Sequence, residues 1–181
     1  AVAAMGIAQK LNTIPNYVSQ GLSQGIMPLV SYNYASGNIR RMKHTVLFAA
    51  KVVISFMLAI CIFYSLTAGS LIRLFMQNEE IIAYGSRFLR GFCLALPFLC
   101  TDFLAVAVFQ SVGLGQYSFV FAVLRKIVLE IPALCILNMI FPLYGLTYAQ
   151  FTAEVVLAIT AVFILRRLFR KFEKQYPQAA A

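Results

Sequence analysis

Two carboxylates are the residues of this chain best placed to do chemistry. Residues 91–112 form an apolar stretch whose single charge is Asp102, and residues 143–165 form another whose single charge is Glu154. A membrane span needs about 20 residues at about 1.5 Å each, so each acid lies roughly midway through a span. An ionised acid costs roughly 3 kcal/mol or more there, and usually lines a water-filled path, binds a cation or has a buried partner. Ion-coupled transport is therefore the leading hypothesis.

Helical spacing gives Asp102 an aromatic setting. Ala95, Phe98, Ala105 and Phe109 share its helix face, and ring faces attract cations. We expect Phe98 and Phe109 to line a cation pocket around Asp102. The alternative is a protonated carboxyl that hydrogen-bonds to a neighbouring helix.

Glu154 lies on a small, polar helix face together with Thr147, Gln150, Ala158 and Ala161. We expect this face to turn inward, with Glu154 as a second cation-coupling candidate and Gln150 lining a cavity. A structural hydrogen bond from Gln150 or from the first span is the alternative.

The composition indicates a polytopic membrane protein. Of 181 residues, 61% are hydrophobic and only 12% are charged, whereas soluble domains carry about 25% charged residues. The net charge of +9 does not indicate nucleic-acid binding, because the positive charges cluster at the ends of apolar segments.

The four cysteines fall within apolar segments without a metal-site spacing. We interpret them as small buried hydrophobic residues.

The fold class is an all-α transmembrane bundle of about five spans. The spans cover residues 3–34, 45–66, 88–112 and 119–141, and a last one that follows a tight turn at 142–145 and ends at 165. Lys51, near the second span's basic end, is expected to snorkel, and Lys126 and Glu130 form an i,i+4 pair in the fourth.

The first span carries a polar helix face that we expect to line a cavity or to pack in the bundle interior, since polar side chains avoid lipid. Its members are Asn12, Asn16, Ser19 and Ser23, with Gln20 beside them.

Lysine and arginine counts orient the chain. The loop after the first span, the start of the fourth span (Arg125 and Lys126) and the C-terminal tail carry three, two and five, against three on the other side. Ten against three places the C-terminus in the cytoplasm of a multi-pass plasma-membrane protein.

An enzyme is not expected. The sequence contains no HExxH, GxSxG or Walker motif, and its one histidine, His44, lies in a basic loop.

Residues 21–38, GLSQGIMPLVSYNYASGN, resemble the multidrug and toxic compound extrusion (MATE) transporters, with Pro28, Tyr32, Asn33, Tyr34 and Gly37 matching and Ala35 departing from the usual Gly. FQSVGLGQYSF, RKIVLEIPALCIL and YGLTYAQFTAE follow in the family's order. By this resemblance the chain looks like helices eight to twelve, with residues 1–172 in an incomplete C-terminal lobe and 173–181 as a cytoplasmic tail.

The resemblance implies twelve helices in two lobes, which export organic cations in exchange for Na⁺ or H⁺ and need no cofactor. Asp102 falls where some members carry a cation-site Asp on helix ten. The second acid of that site lies on helix seven, so Asp102 implies an incomplete Na⁺ site.

The function implied is the C-terminal part of a multidrug efflux antiporter. Its partners would be hydrophobic or cationic small molecules, the lipid bilayer and an N-terminal lobe, with no nucleic acid. The alternatives are a lipid-linked-sugar flippase, for whose anionic substrate Lys10 is the candidate, and a non-transporting importer subunit. The chain opens on Ala1 without Met, so we expect a fragment that does not transport by itself, since alternating access needs both halves.

Overall fold

The computed structural model describes residues 2–140 and 145–175, and these are almost entirely helical. The elements in chain order are α1 (Val2–Gly25), α2 (Met27–Ala35), α3 (Ile39–Arg73), α4 (Glu79–Ser111), α5 (Gly115–Val123), a π-helical segment (Leu124–Glu130), α6 (Ile131–Ile140) and α7 (Gly145–Gln175). The prediction of an all-α bundle is confirmed. The predicted turn at 142–145 lies largely outside the described residues.

Two turns between helices depend on glycine. Gly37 and Gly113 have φ of 72° and 76°, a left-handed conformation that a side chain disfavours. The residue after each glycine donates a hydrogen bond back to the end of the preceding helix. Asn38 N–H donates to the Asn33 carbonyl at 2.9 Å, and Leu114 N–H donates to the Phe109 carbonyl at 2.8 Å. These six-residue closures satisfy carbonyls that the helix end leaves free.

The first predicted span is two helices and not one. α1 ends at Gly25 and α2 begins at Met27, with Pro28 in its first turn. A proline lacks the N–H that a continuing helix needs, and the first turn is where its absence costs least. Pro15 lies within α1.

α4 is the central helix of the bundle and packs against α1, α3 and α7. Its fully buried side chains include Phe88, Phe92 and Phe109. α3 is peripheral and exposes large apolar side chains such as Phe48, Phe63 and Leu66. Exposed apolar surface on a long helix is what a lipid-facing position requires.

Three helices of the described chain are long and apolar enough to cross a membrane, and they lie within 39–73, 79–111 and 147–175. Five spans were predicted. The remaining two predicted spans differ because α1 carries a polar face and the run 115–140 is divided into α5, the π segment and α6.

The π segment ends two residues before Pro132, the second residue of α6. A proline ring crowds the carbonyl four residues earlier, that of Val128, and cannot bond to it. A wider turn relieves this crowding, and π turns often occur at functional sites. Arg125 lies in this segment.

Contacts between distant parts of the chain identify one end of the bundle. Lys43 Nζ lies 2.9 Å from Glu173 Oε1, and the rings of Tyr34 and Phe172 lie 5.0 Å apart. These contacts bring the first loop and the start of the tail to the same end of the bundle, and their shared side of the membrane stays a prediction. The helix itself continues through the predicted tail start to Gln175.

The remaining predictions have mixed outcomes. Cys93 and Cys100 are buried, Cys61 is partly buried and Cys135 is exposed, so the expectation of burial is wrong for Cys135. Lys51 is exposed on α3, as snorkelling requires. The Lys126–Glu130 pair involves a lysine side chain outside the described residues.

Candidate functional site

Arg125 lies between the two carboxylates that the sequence singled out. Its Nη2 is 2.7 Å from Glu154 Oε1, and its Nη1 is 3.5 Å from Asp102 Oδ2. The acid side chains are 4% and 2% exposed and the arginine side chain 18%, so the three groups form a buried ion triad. The contact with Glu154 is short and charge-assisted, whereas that with Asp102 is at the outer limit of a hydrogen bond.

Three elements position the triad. α4 presents Asp102 and α7 presents Glu154, and these helices pack directly on each other. Arg125 enters from the π segment, and its Cζ lies 5.2 Å from the ring centre of Phe103. That distance allows a cation–π interaction, which favours keeping the guanidinium in place.

Some polar atoms of the triad have no hydrogen-bond partner among the described residues. They are Asp102 Oδ1, Glu154 Oε2 and Arg125 Nε. A buried charge with unmet hydrogen-bonding capacity costs free energy unless water or a ligand meets it.

A cavity of about 560 Å³ lies beside Asp102 and Arg125, between α1, α4 and α5. Its polar lining comprises Gln20, Ser23, Gln24, Gln110 and Ser118. Phe103, Phe119 and Ala122 are among its apolar lining residues. Glu154 does not line this cavity, so Asp102 is the acid that a cavity ligand would meet.

Arg125 corrects the sequence interpretation. It was counted with the positive charges at the start of the fourth span, but it is a partly buried partner of both acids. Without it the count becomes nine against three and still favours the same orientation. The predicted span begins at residue 119, which put Arg125 near its start, whereas the helical run of the structure begins at Gly115, ten residues or about 15 Å before Arg125.

The polar face of the first span divides into two parts. Gln20 and Ser23 line the cavity, as predicted. Asn12 and Ser19 are buried and Asn16 is partly buried outside that lining. The side-chain oxygens of Asn12, Asn16, Ser19 and Ser23 have no partner among the described residues.

Phe98 and Phe109, the rings predicted to line a pocket around Asp102, are not part of the lining of the cavity beside it. Phe98 packs edge-on against Phe151 of α7, with ring centres 5.7 Å apart, and Phe109 packs against Phe121 of α5 at 5.5 Å. Both rings contact neighbouring helices, and Phe103 is the aromatic residue that contacts Arg125.

Phe109 and one further predicted position, Gln150, lie away from the first cavity. Phe109 lines a second cavity of about 730 Å³, together with Tyr34 and Arg167. Gln150 is partly buried and is not part of the first cavity's lining.

The site offers carboxylate oxygens but no metal-binding cluster among the described residues. No group of three or more His, Cys, Asp and Glu lies close enough there to hold a metal ion. Arg125 supplies the positive charge between the acids, so a bare cation at Asp102 would have to compete with a guanidinium.

Comparisons with known proteins identify the family of the chain. The MatE family model matches residues 1–136. The chain is 34% identical over 172 residues to the multidrug export protein MepA of Staphylococcus haemolyticus, covering 93% of this chain and 37% of that protein. It is 28% identical over 166 residues to MepA of Staphylococcus saprophyticus, covering 91% and 36%. The chain therefore spans little more than a third of the curated relatives it matches.

Solved structures share the fold. A MATE crystal structure in a bent conformation superimposes with a TM-score of 0.89 at 20% identity, covering 99% of this chain and 39% of that one. An inward-facing multidrug resistance MATE family transporter gives 0.86 at 20% identity, covering 92% and 39%. These likenesses and the apolar helices make this a multi-pass membrane protein, and the match over residues 1–136 shows that the chain belongs to the MatE family.

Proposed function

We propose that this chain is the C-terminal part of a multidrug efflux antiporter, which exports organic cations in exchange for Na⁺ or H⁺. Family membership and the relatives named as multidrug export proteins support this proposal. An N-terminal lobe would complete the transport path, and the C-terminus would face the cytoplasm of the plasma membrane.

One observation carries the proposal. Asp102 is 3% exposed, lines the 560 Å³ cavity, and its Oδ1 accepts no hydrogen bond from any described residue. A buried carboxylate oxygen beside a cavity of this size is a binding point for a cation. Coupling follows when an organic cation and the exchanged ion use the same negative charge in turn and each favours a different conformation.

The flippase alternative needs a basic residue at the cavity and finds one, but the site suits an anionic substrate less well than a cation. Arg125 lines the cavity, whereas the expected candidate Lys10 does not. An anionic head group would meet Arg125 together with two carboxylates, and the ionised triad has a net charge of −1. That charge favours a cation. Membership of the MatE family likewise favours a transporter over an importer subunit.

Asp102→Asn in the full-length protein tests the proposal. The matched control is Glu79→Gln. Glu79 is an exposed acid at the start of α4, far from Asp102 along that helix, and it pairs with Arg73 at 2.9 Å. Efflux of a fluorescent organic cation from proteoliposomes is driven in turn by a Na⁺ gradient and by a pH gradient. We expect Asp102→Asn to abolish exchange and Glu79→Gln to retain it. Unchanged efflux in Asp102→Asn would exclude Asp102 as the coupling residue.

A further inference from the structure

The two contacts of Arg125 differ in length, and the shorter one is to the acid that lies outside the cavity lining. The guanidinium is held at 2.7 Å by Glu154, which lies outside the cavity lining, and only loosely, at 3.5 Å, by Asp102, which lines it. Hydrogen-bond strength falls steeply over that range. The arginine is therefore anchored on the side away from the cavity.

The charges of the triad do not balance. Two ionised carboxylates and one guanidinium leave a net charge of −1, and burial makes an uncompensated charge expensive. Asp102 Oδ1 and Glu154 Oε2 both lack a partner among the described residues, but the guanidinium lies 2.7 Å from Glu154 and 3.5 Å from Asp102. Asp102, which lines the cavity, is therefore the less compensated acid, and one additional positive charge there would neutralise the triad.

We infer that Arg125 is a tethered cation that competes with the transported cation for Asp102, and that Glu154 is the positioning residue that holds it back. This inference rests on the proposed function. A monovalent cation that enters the cavity takes Asp102, and the guanidinium stays with Glu154. When the cation leaves, Arg125 moves back towards Asp102, so the empty site is not left with an unpaired acid.

This arrangement gives Glu154 a role without contact to the transported cation. If Glu154 loses its charge, Arg125 keeps Asp102 as its only acidic partner in the triad, and the neutralised pair no longer attracts a cation. Removing the arginine as well returns the net charge to −1, now carried by Asp102 alone. The double change should therefore restore what the single change removes.

The test measures binding of tetraphenylphosphonium, a hydrophobic monovalent cation, to the purified full-length protein in detergent at one pH. We expect Asp102→Asn and Glu154→Gln each to weaken binding about tenfold or more, and Glu154→Gln/Arg125→Gln to return to within about threefold of the wild type. Unfolding of each variant in micelles is measured beside binding, because a merely structural role for Glu154 would change binding only as far as it changes the free energy of unfolding.

The outcomes separate the inference from the proposed function. If Asp102→Asn binds normally, the proposed cation site is wrong. If Asp102→Asn loses binding but Glu154→Gln does not, or if the double variant binds as weakly as Glu154→Gln, the tethered-cation inference is overturned and the proposed function stands. Should Glu154→Gln fail to fold, Glu154→Asp keeps the charge on a shorter side chain. It should still weaken binding, and unchanged binding would overturn the inference.

Discussion

Asp102 and Glu154 lie on neighbouring helices and share a single guanidinium. The sequence separates them by 52 positions and gives each its own apolar stretch, yet Arg125 is within 3.5 Å of the first and 2.7 Å of the second. The sharing links α4 and α7 through a third element, the π segment. A change at any one of the three groups must therefore alter the electrostatics of the other two.

Arg125→Gln should destabilise the protein strongly. The change leaves two buried carboxylates without their shared cation, and breaking a buried pair by removing one partner costs about 3–5 kcal/mol. Unfolding of the full-length protein in detergent micelles, followed by heat or denaturant, measures the loss. Adding Glu154→Gln to this variant should recover part of it.

Arg73→Gln is the matched control for this measurement. Arg73 also pairs with a glutamate at 2.9 Å, but its side chain is 63% exposed and that of Glu79 is 74% exposed. Exposed pairs contribute about 0–1 kcal/mol, so the control should lose little. Equal losses in the two arginine variants would argue against a buried, functional role for Arg125.

Gly91→Ala should loosen the packing of α4 against α7. A Cβ at Gly91 would overlap Thr147 Cγ2, and Thr147 is itself buried. Overpacking of this kind typically costs about 1–3 kcal/mol. The free energy of unfolding in micelles should fall by that amount.

Two companion variants sharpen the Gly91 result. Thr147→Ser removes the methyl group that the new Cβ would meet, so Gly91→Ala/Thr147→Ser should regain most of the lost stability. Gly69→Ala places its Cβ in open space inside α3 and should be neutral or stabilise by up to about 1 kcal/mol, because alanine favours a helix over glycine. A loss in Gly91→Ala that Thr147→Ser does not relieve would show that the steric account is wrong.

The sequence predicts the burial of the acids and of the polar face of α1 well, because helical spacing and the cost of polar groups in lipid act within one element. Asp102, Glu154, Asn12 and Ser19 are all buried. A periodic pattern states which way a side chain points relative to its own helix. That is the part of the site that local physics determines.

The partner of those acids was not predictable in the same way. Arg125 is followed by Lys126 near the start of an apolar stretch, a pattern that also marks a loop at the membrane surface. Which helix covers Phe98 or Phe109 depends likewise on packing between distant segments. Pro132 indicates that the helix is irregular near it. It does not indicate that the irregularity is a π turn or that the turn contains Arg125.

Gly113→Ala should cost stability through backbone strain alone. Gly113 has a φ of 76° and a Cβ there would meet nothing within 4 Å, so crowding plays no part. A side chain in the left-handed region costs about 1 kcal/mol, and asparagine tolerates it better than alanine. Stability measured in micelles should therefore rank wild type above Gly113→Asn and Gly113→Asn above Gly113→Ala. Gly115→Ala, which also meets open space without a positive φ, is the control that should change little.

Thiol labelling should show the first loop and the end of α7 on one side of the membrane. Lys43 and Glu173 form an ion pair at 2.9 Å, whereas Gln77 lies beyond the far end of α3, whose 35 residues extend about 50 Å. In a background without the four native cysteines, Lys43→Cys and Glu173→Cys should react with a membrane-impermeant reagent from the same side and Gln77→Cys from the other. The lysine and arginine imbalance places the first pair in the cytoplasm, so in intact cells only Gln77→Cys should be labelled, and inverted vesicles should reverse the pattern. Labelling of Lys43→Cys in intact cells would reverse the proposed orientation, and labelling of all three from one side would contradict a membrane-crossing α3.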